Sequence, residues 1–122
     1  MTEVFNPEEF VVQLMGGLDV EDARLVSTVL EQGGASNNRA LFAAIFHRLE
    51  EEGYVGASNL VAGDELRESL DVDLDLLFHY ILYPLLEQFD IEKGEFPSDN
   101  TKFLVALMGI LPKLRRALSE VL

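Results

Sequence analysis

The chain has 122 residues, of which 48% are apolar, and a formal net charge of −13. That length suits one domain around a single core. The absence of cysteine excludes a disulfide framework, zinc thiolate sites and thiol chemistry, and the surplus of acid argues against direct docking on a nucleic acid backbone.

Taken in chain order, the start Met1-Thr2-Glu3-Val4-Phe5 lacks the basic residues and apolar run of a signal peptide. Asn6-Pro7-Glu8-Glu9 reads as a helix start: a cap, Pro at the first helical position, then acids on the positive end of the dipole. Gly16-Gly17 ends that helix. Asp19-Val20-Glu21-Asp22 starts the next, and Gly33-Gly34 stops it. Ser36-Asn37-Asn38 offers caps for a third helix that runs to Gly53, with the apolar stripe Leu41, Phe42, Ile45, Phe46, Leu49. Between Ser58 and Leu70 the spacing predicts two short helices, or one interrupted at Gly63-Asp64.

Asp71 or Asp73 then caps a strongly apolar helix through Phe89, and Pro84 inside it is expected to kink it. Asp90 to Asp99 reads as a loop with Gly94 and Pro97. Ser98 or Asp99 caps a last helix to the C-terminus, with Pro112 as a second kink and Lys113, Arg115 and Arg116 suiting the dipole near its end. No internal repeat, linker or strand punctuation appears. The expectation is an all-α protein: one domain over 1–122, a compact bundle of five to six helices.

The charge is unevenly placed. Residues 1–100 hold 21 acidic against 5 basic residues, a net of −16, whereas 101–122 hold Glu120 against Lys102, Lys113, Arg115 and Arg116, a net of +3. Acids keep an apolar domain in solution, and they also suit a partner with a basic surface. Two helices carry more apolar surface than one core face needs: 74–89, whose polar stripe is thin, and 103–111, which has no polar residue. A helix apolar all round is central in its fold or buried between copies. The longest apolar run, Phe103 to Leu111, falls short of the roughly 20 residues of a membrane span. A soluble, cytoplasmic protein is expected.

Chemistry-bearing patterns are sparse. Asp75 and His79, and His47 and Glu51, are four apart on their helices, so each pair meets. Such pairs are common surface contacts, and His47 lies opposite the stripe of its helix. Asp71-Val72-Asp73-Leu74-Asp75 looks superficially like a calcium loop but has Leu76 where the loop needs Gly. No serine sits in a nucleophile elbow. No catalytic residue, metal site or cofactor is expected, and the chain is read as a non-enzyme.

One stretch carries a resemblance. Leu18-Asp19-Val20-Glu21-Asp22 is followed by Leu41-Phe42 through His47-Arg48-Leu49-Glu50-Glu51-Glu52-Gly53-Tyr54-Val55. Ser58-Asn59-Leu60, Glu65-Leu66 and Asp73-Leu74-Asp75-Leu76-Leu77 come next. Over Leu18 to Phe89 this order resembles a death effector domain, a subfamily of the six-helix death fold. In that family a leucine-rich helix precedes a passage of short helix, Asn-Leu and short helix, and an Arg-x-Asp-Leu-Leu motif opens the sixth helix. Asp75, Leu76 and Leu77 match that motif, but its Arg is Asp73 here. The motif's acidic partner falls on Asp22 and the family's exposed aromatic on Thr28. Without the Arg, Asp22, Asp73 and Asp75 are three like charges that cannot close internally.

The resemblance implies homotypic assembly, with Asp22, Asp73 and Asp75 facing a basic patch on the partner. The expected function is a protein–protein interaction module, an adaptor that docks through helix surfaces and self-associates. The candidate partner-binding residues are Asp22, Asp73, Asp75, Leu76 and Leu77, with Leu104 and Met108 on the 103–111 helix. Two other readings compete. In one, an acidic inhibitor presents carboxylates in place of phosphates to the basic cleft of a nucleic-acid-binding protein. In the other, an assembly chaperone shields an apolar segment of its client.

Overall fold

Asn6 caps the first helix, α1 (Pro7–Gly17). Its side-chain oxygen accepts from the backbone N–H groups of Glu8 at 3.0 Å and Glu9 at 3.3 Å. That satisfies two of the donors every helix start leaves without intrahelical partners. Asp19 does the same for α2 (Val20–Gly34), accepting from the N–H of Asp22 at 2.7 Å. The third helix, α3 (Asn38–Glu51), closes at Gly53, whose φ of +106° lies in the region that glycine reaches without strain. The N–H of Gly53 donates to Glu50 C=O at 3.1 Å and that of Tyr54 to Leu49 C=O at 3.0 Å. This paired closure satisfies two orphan carbonyls.

The computed structural model describes residues 5–34, 38–57, 74–94, 96 and 101–121. The helices expected between Ser58 and Leu70 lie outside the described residues, as do the caps expected at Ser36, Asn37, Asp71, Asp73, Ser98 and Asp99. Among the described residues every regular element is helical, and the chain is a compact all-α bundle.

The central helix is three pieces end to end: α4 (Asp75–Leu77), a π-helical turn (Phe78–Leu82) and α5 (Tyr83–Gln88). Pro84 explains the middle piece. Proline has no N–H to donate to the residue four back, Tyr80, and its ring crowds that carbonyl. The chain widens just before it: the N–H of Tyr83 donates to Phe78 C=O, five residues back. The disruption expected at Pro84 therefore takes the form of a wider turn. After α5 the closure seen at Gly53 recurs at a non-glycine. Asp90 has φ +55°, its N–H donates to Glu87 C=O at 3.1 Å, and that of Ile91 to Leu86 C=O at 2.9 Å.

The last helix, α6 (Thr101–Val121), runs through Pro112. Proline denies a bond to the carbonyl of Met108, a residue on the exposed side of the helix. The inner side buries Phe103, Ala106, Leu107, Ile110, Leu111, Leu114 and Leu118. α1 packs on α6, and α2 packs on α3, α4 and α6. From α3, Leu41, Ile45, Phe46 and Leu49 enter the core as their spacing predicts, while Phe42 is only half-buried. Two backbone hydrogen bonds tie the turn after α3 to the loop before α6: Gly94 N–H to Gly53 C=O at 2.7 Å and Phe96 N–H to Val55 C=O at 2.9 Å.

The two closures give paired expectations. Asp90→Gly relieves a left-handed backbone and stabilises the fold by about 1 kcal/mol, whereas Gly53→Ala destabilises it by about 1 kcal/mol. Thermal melts should show shifts of about 3–5 °C in opposite directions. Equal melting temperatures for Asp90→Gly and the parent would contradict the assigned strain.

Candidate functional site

The structure scatters the residues singled out from the sequence over three environments. Asp22 is half-buried on α2 and accepts a hydrogen bond from the Tyr80 hydroxyl at 2.9 Å. Asp75 is exposed at the start of α4 and pairs with Arg48 at 2.7 Å. Asp73 lies outside the described residues. Leu76 is half-buried against the core, and Leu77 is fully buried. Leu104 is half-buried on α6, and Met108 is 57% exposed.

Two corrections follow. Leu77 cannot belong to a docking surface on the folded chain, because its side chain is part of the core. Asp75 is not left without a cation inside the chain either. Asp75 finds Arg48 on α3, and Asp22 finds a phenol donor on the central helix.

Arg48 is the centre of a polar knot that locks α3 to the central helix. Its Nε donates to Glu52 at 2.9 Å, one helical turn along, and its Nη2 donates to Asp75 at 2.7 Å. The guanidinium lies 5.2 Å from the centre of the Phe78 ring, within cation–π range. The other Glu52 oxygen accepts from the Tyr83 hydroxyl. Exposed pairs of this kind contribute less than about 1 kcal/mol each, and the Asp75 side chain is largely in water. The Glu52 side chain is only 18% exposed, so its two donors matter more. The hydrogen bond to Asp75 strengthens the hold of Arg48 on its proton, so the knot keeps its cation at any working pH.

The tyrosines register the acids beside them. Donation to Glu52, then burial, pushes the Tyr83 phenol up to about 12, with the Arg48 charge pulling the other way. Tyr80 is raised chiefly by its bond to Asp22, and Tyr54 by burial. His47 and Glu51 meet at 2.6 Å on the exposed side of α3. His79 packs edge-on against the Tyr80 ring, 4.8 Å between centres. No group of three potential metal ligands forms among the described residues.

Sequence reasoning passed over Arg48, Glu52 and Tyr83 as a unit. The Arg48–Glu52 spacing of four was readable as a helical pair. The links to Asp75 and Tyr83 span 27 and 31 residues and have no local signature.

The third environment is the outer face of α6. Val105 is 63% exposed and Met108 57%, and Pro112 is exposed one turn further along. Exposed Lys102 precedes them and exposed Arg116 follows, so a cation brackets each end of an apolar stripe. Lys113, beside the stripe, bonds Glu8 of α1 at 3.1 Å. Other large apolar side chains stand exposed elsewhere, among them Val12, Val20, Leu25 and Val55.

The Tyr83 bond sets an alkaline signature. A folded-state phenol raised above its unfolded value of about 10 contributes stability below pH of about 10 and loses it as pH rises further. An ultraviolet titration should show the last tyrosine ionising near about 12, and Tyr83→Phe should remove that step and soften the alkaline loss of stability. A parent titration curve with all three phenols near about 10 contradicts the assignment.

No family model, curated protein or solved structure matches this chain. Its own surfaces carry the functional inference.

Proposed function

We propose that this chain is a non-enzymatic protein–protein interaction module that assembles with copies of itself through the outer face of α6. The observation that carries the proposal is the stripe of Val105, Met108 and Pro112, exposed on a helix whose opposite face is core. Residues at these spacings share one side of a helix, and methionine adapts to an irregular partner surface.

The charge distribution favours a second copy as the partner. The stripe lies in the segment of net +3, while residues 1–100 carry −16. A cation-bracketed apolar stripe on one copy therefore meets an oppositely charged body on the next. Apolar burial supplies the affinity and the charges set orientation and encounter rate. Contact between two different faces is heterologous, so it builds rings or open chains rather than closed pairs. An adaptor role in a larger assembly follows from such growth, and it is the role that the resemblance to death effector domains implies. Docking of the chain's own acidic face on a foreign basic protein would instead leave the α6 stripe unused.

Light scattering coupled to size exclusion tests this directly. Oligomers should grow with protein concentration and persist in about 1 M salt, where screening shortens the Debye length to about 3 Å. Met108→Lys should return the chain to a monomer with an unchanged melting temperature, since that side chain is outside the core. A parent that stays monomeric at every concentration overturns the proposal. So does a Met108→Lys variant that assembles as the parent does.

A further inference from the structure

A second surface, away from the α6 stripe, is shaped for a different contact. A groove of ≈ 240 Å³ opens between α1 and the central helix, lined by Phe10, Gln13, Leu14, Gly17, His79, Tyr80 and Pro84. It is smaller than the roughly 300–1,000 Å³ of sites for cofactors and drug-sized ligands, and it suits one long side chain.

Its chemistry is that of a cation receptor. Three of the lining residues are aromatic rings, those of Phe10, His79 and Tyr80, and Leu14 and Pro84 add aliphatic wall. An aromatic face attracts a cation, and apolar wall suits the methylene stem that carries it. Gly17, in the lining, is the last residue of α1, where the helix dipole turns its negative end outward. No basic side chain stands in the last turn of α1 to meet that end. Asp19 follows two residues later, exposed. Asp22 is not itself in the lining, but it accepts from the hydroxyl of Tyr80, which is, at 2.9 Å. That bond engages one carboxylate oxygen with one donor, and a carboxylate accepts several. The charges that act on Tyr80, those of Asp22 and Asp19, are negative, while the wall is apolar and aromatic apart from Gln13.

We infer that this groove receives an arginine side chain presented by a partner protein, its stem against Leu14 and Pro84 and its guanidinium between the aromatic rings and Asp22. Arginine fits better than lysine because its planar guanidinium stacks on rings and forks toward a carboxylate, and it is more weakly hydrated. The α6 stripe contributes no residue to the groove, so this contact stands or falls separately from self-assembly.

The test uses N-acetyl-arginine N-methylamide as the probe, titrated at pH 8 into the isotopically labelled full chain and followed by amide chemical shifts. The neutral citrulline counterpart and the lysine counterpart are the controls. Saturable shifts should centre on Gly16, Gly17, His79 and Tyr80, with the citrulline compound at least tenfold weaker. Gly17→Met, which sets a long side chain at a lining position, should weaken binding. A Cβ at that position meets no atom within 4 Å, and the substitution favours the helix, so the variant folds. Asp22→Asn should weaken binding about threefold or more while Met108→Lys leaves it unchanged. Equal shifts from the citrulline compound would mean an apolar occupant and overturn the inference. Non-saturating shifts spread over all the acidic residues, or full binding by Gly17→Met, would overturn it as well.

Discussion

The ring of Phe103 on α6 meets those of Phe46, Phe89 and Phe96 with centres 5.6–6.4 Å apart, each at a steep angle. Phe46 belongs to α3, Phe89 to the end of the central helix and Phe96 to the loop before α6. Phe89 in turn touches Phe5, which touches Phe10 on α1. One buried side chain thus gathers segments from both ends of the chain and its middle. Edge-to-face pairs add about 0.5–1.5 kcal/mol each beyond burial. Their larger effect here is geometric, because steep ring contacts fix how α6 is rotated about its own axis. That rotation decides which residues of an almost wholly apolar helix reach water. Phe103, Leu107 and Ile110 point into the core, so Val105 and Met108 point out. The surface proposed for docking is a consequence of where Phe103 sits.

Electrostatics is arranged around the same frame. A chain of net charge −13 repels itself when compact, and two of its nine basic residues relieve that across helix contacts. Arg48 neutralises Glu52 and Asp75 across two helices, and Lys113 reaches Glu8 between α1 and α6. Two tyrosines also donate to carboxylates, Tyr80 to Asp22 and Tyr83 to the second oxygen of Glu52. Those phenols hold their protons more tightly in exchange. Lys102 and Arg116 stay exposed at the ends of the α6 stripe, which is why that stripe contrasts with the rest of the surface.

What the sequence made legible was local. Asn6, Asp19 and Gly53 marked helix ends because capping and left-handed closure are written in residue type over three or four positions. The 3.6-residue period placed Leu41, Ile45, Phe46 and Leu49 in the core. Pro84 announced a disruption but not its form, since proline forbids one bond without saying which replaces it. Asp90 gave no sign of its left-handed φ, because aspartate is common in many turn conformations. The Arg48 knot was hidden by distance along the chain. Leu77 was misjudged for a related reason: a motif match names residues, and only packing tells which side of the helix each one occupies.

The same reasoning explains why the 103–111 segment was ambiguous as a sequence. A helix with no polar residue offers no contrast from which to read an inner face, so periodicity is silent. The structure gives this one helix a face in the core and a face in solvent. Seven side chains of α6 are buried, which accounts for its role in the fold. Val105 and Met108 add nothing to that role, since they project away from every ring that holds the helix in place. Valine on an exposed helix face even lowers helix propensity slightly relative to alanine or lysine. Neither folding nor helix formation calls for apolar side chains at these two positions, which is why the proposed assembly is placed on them.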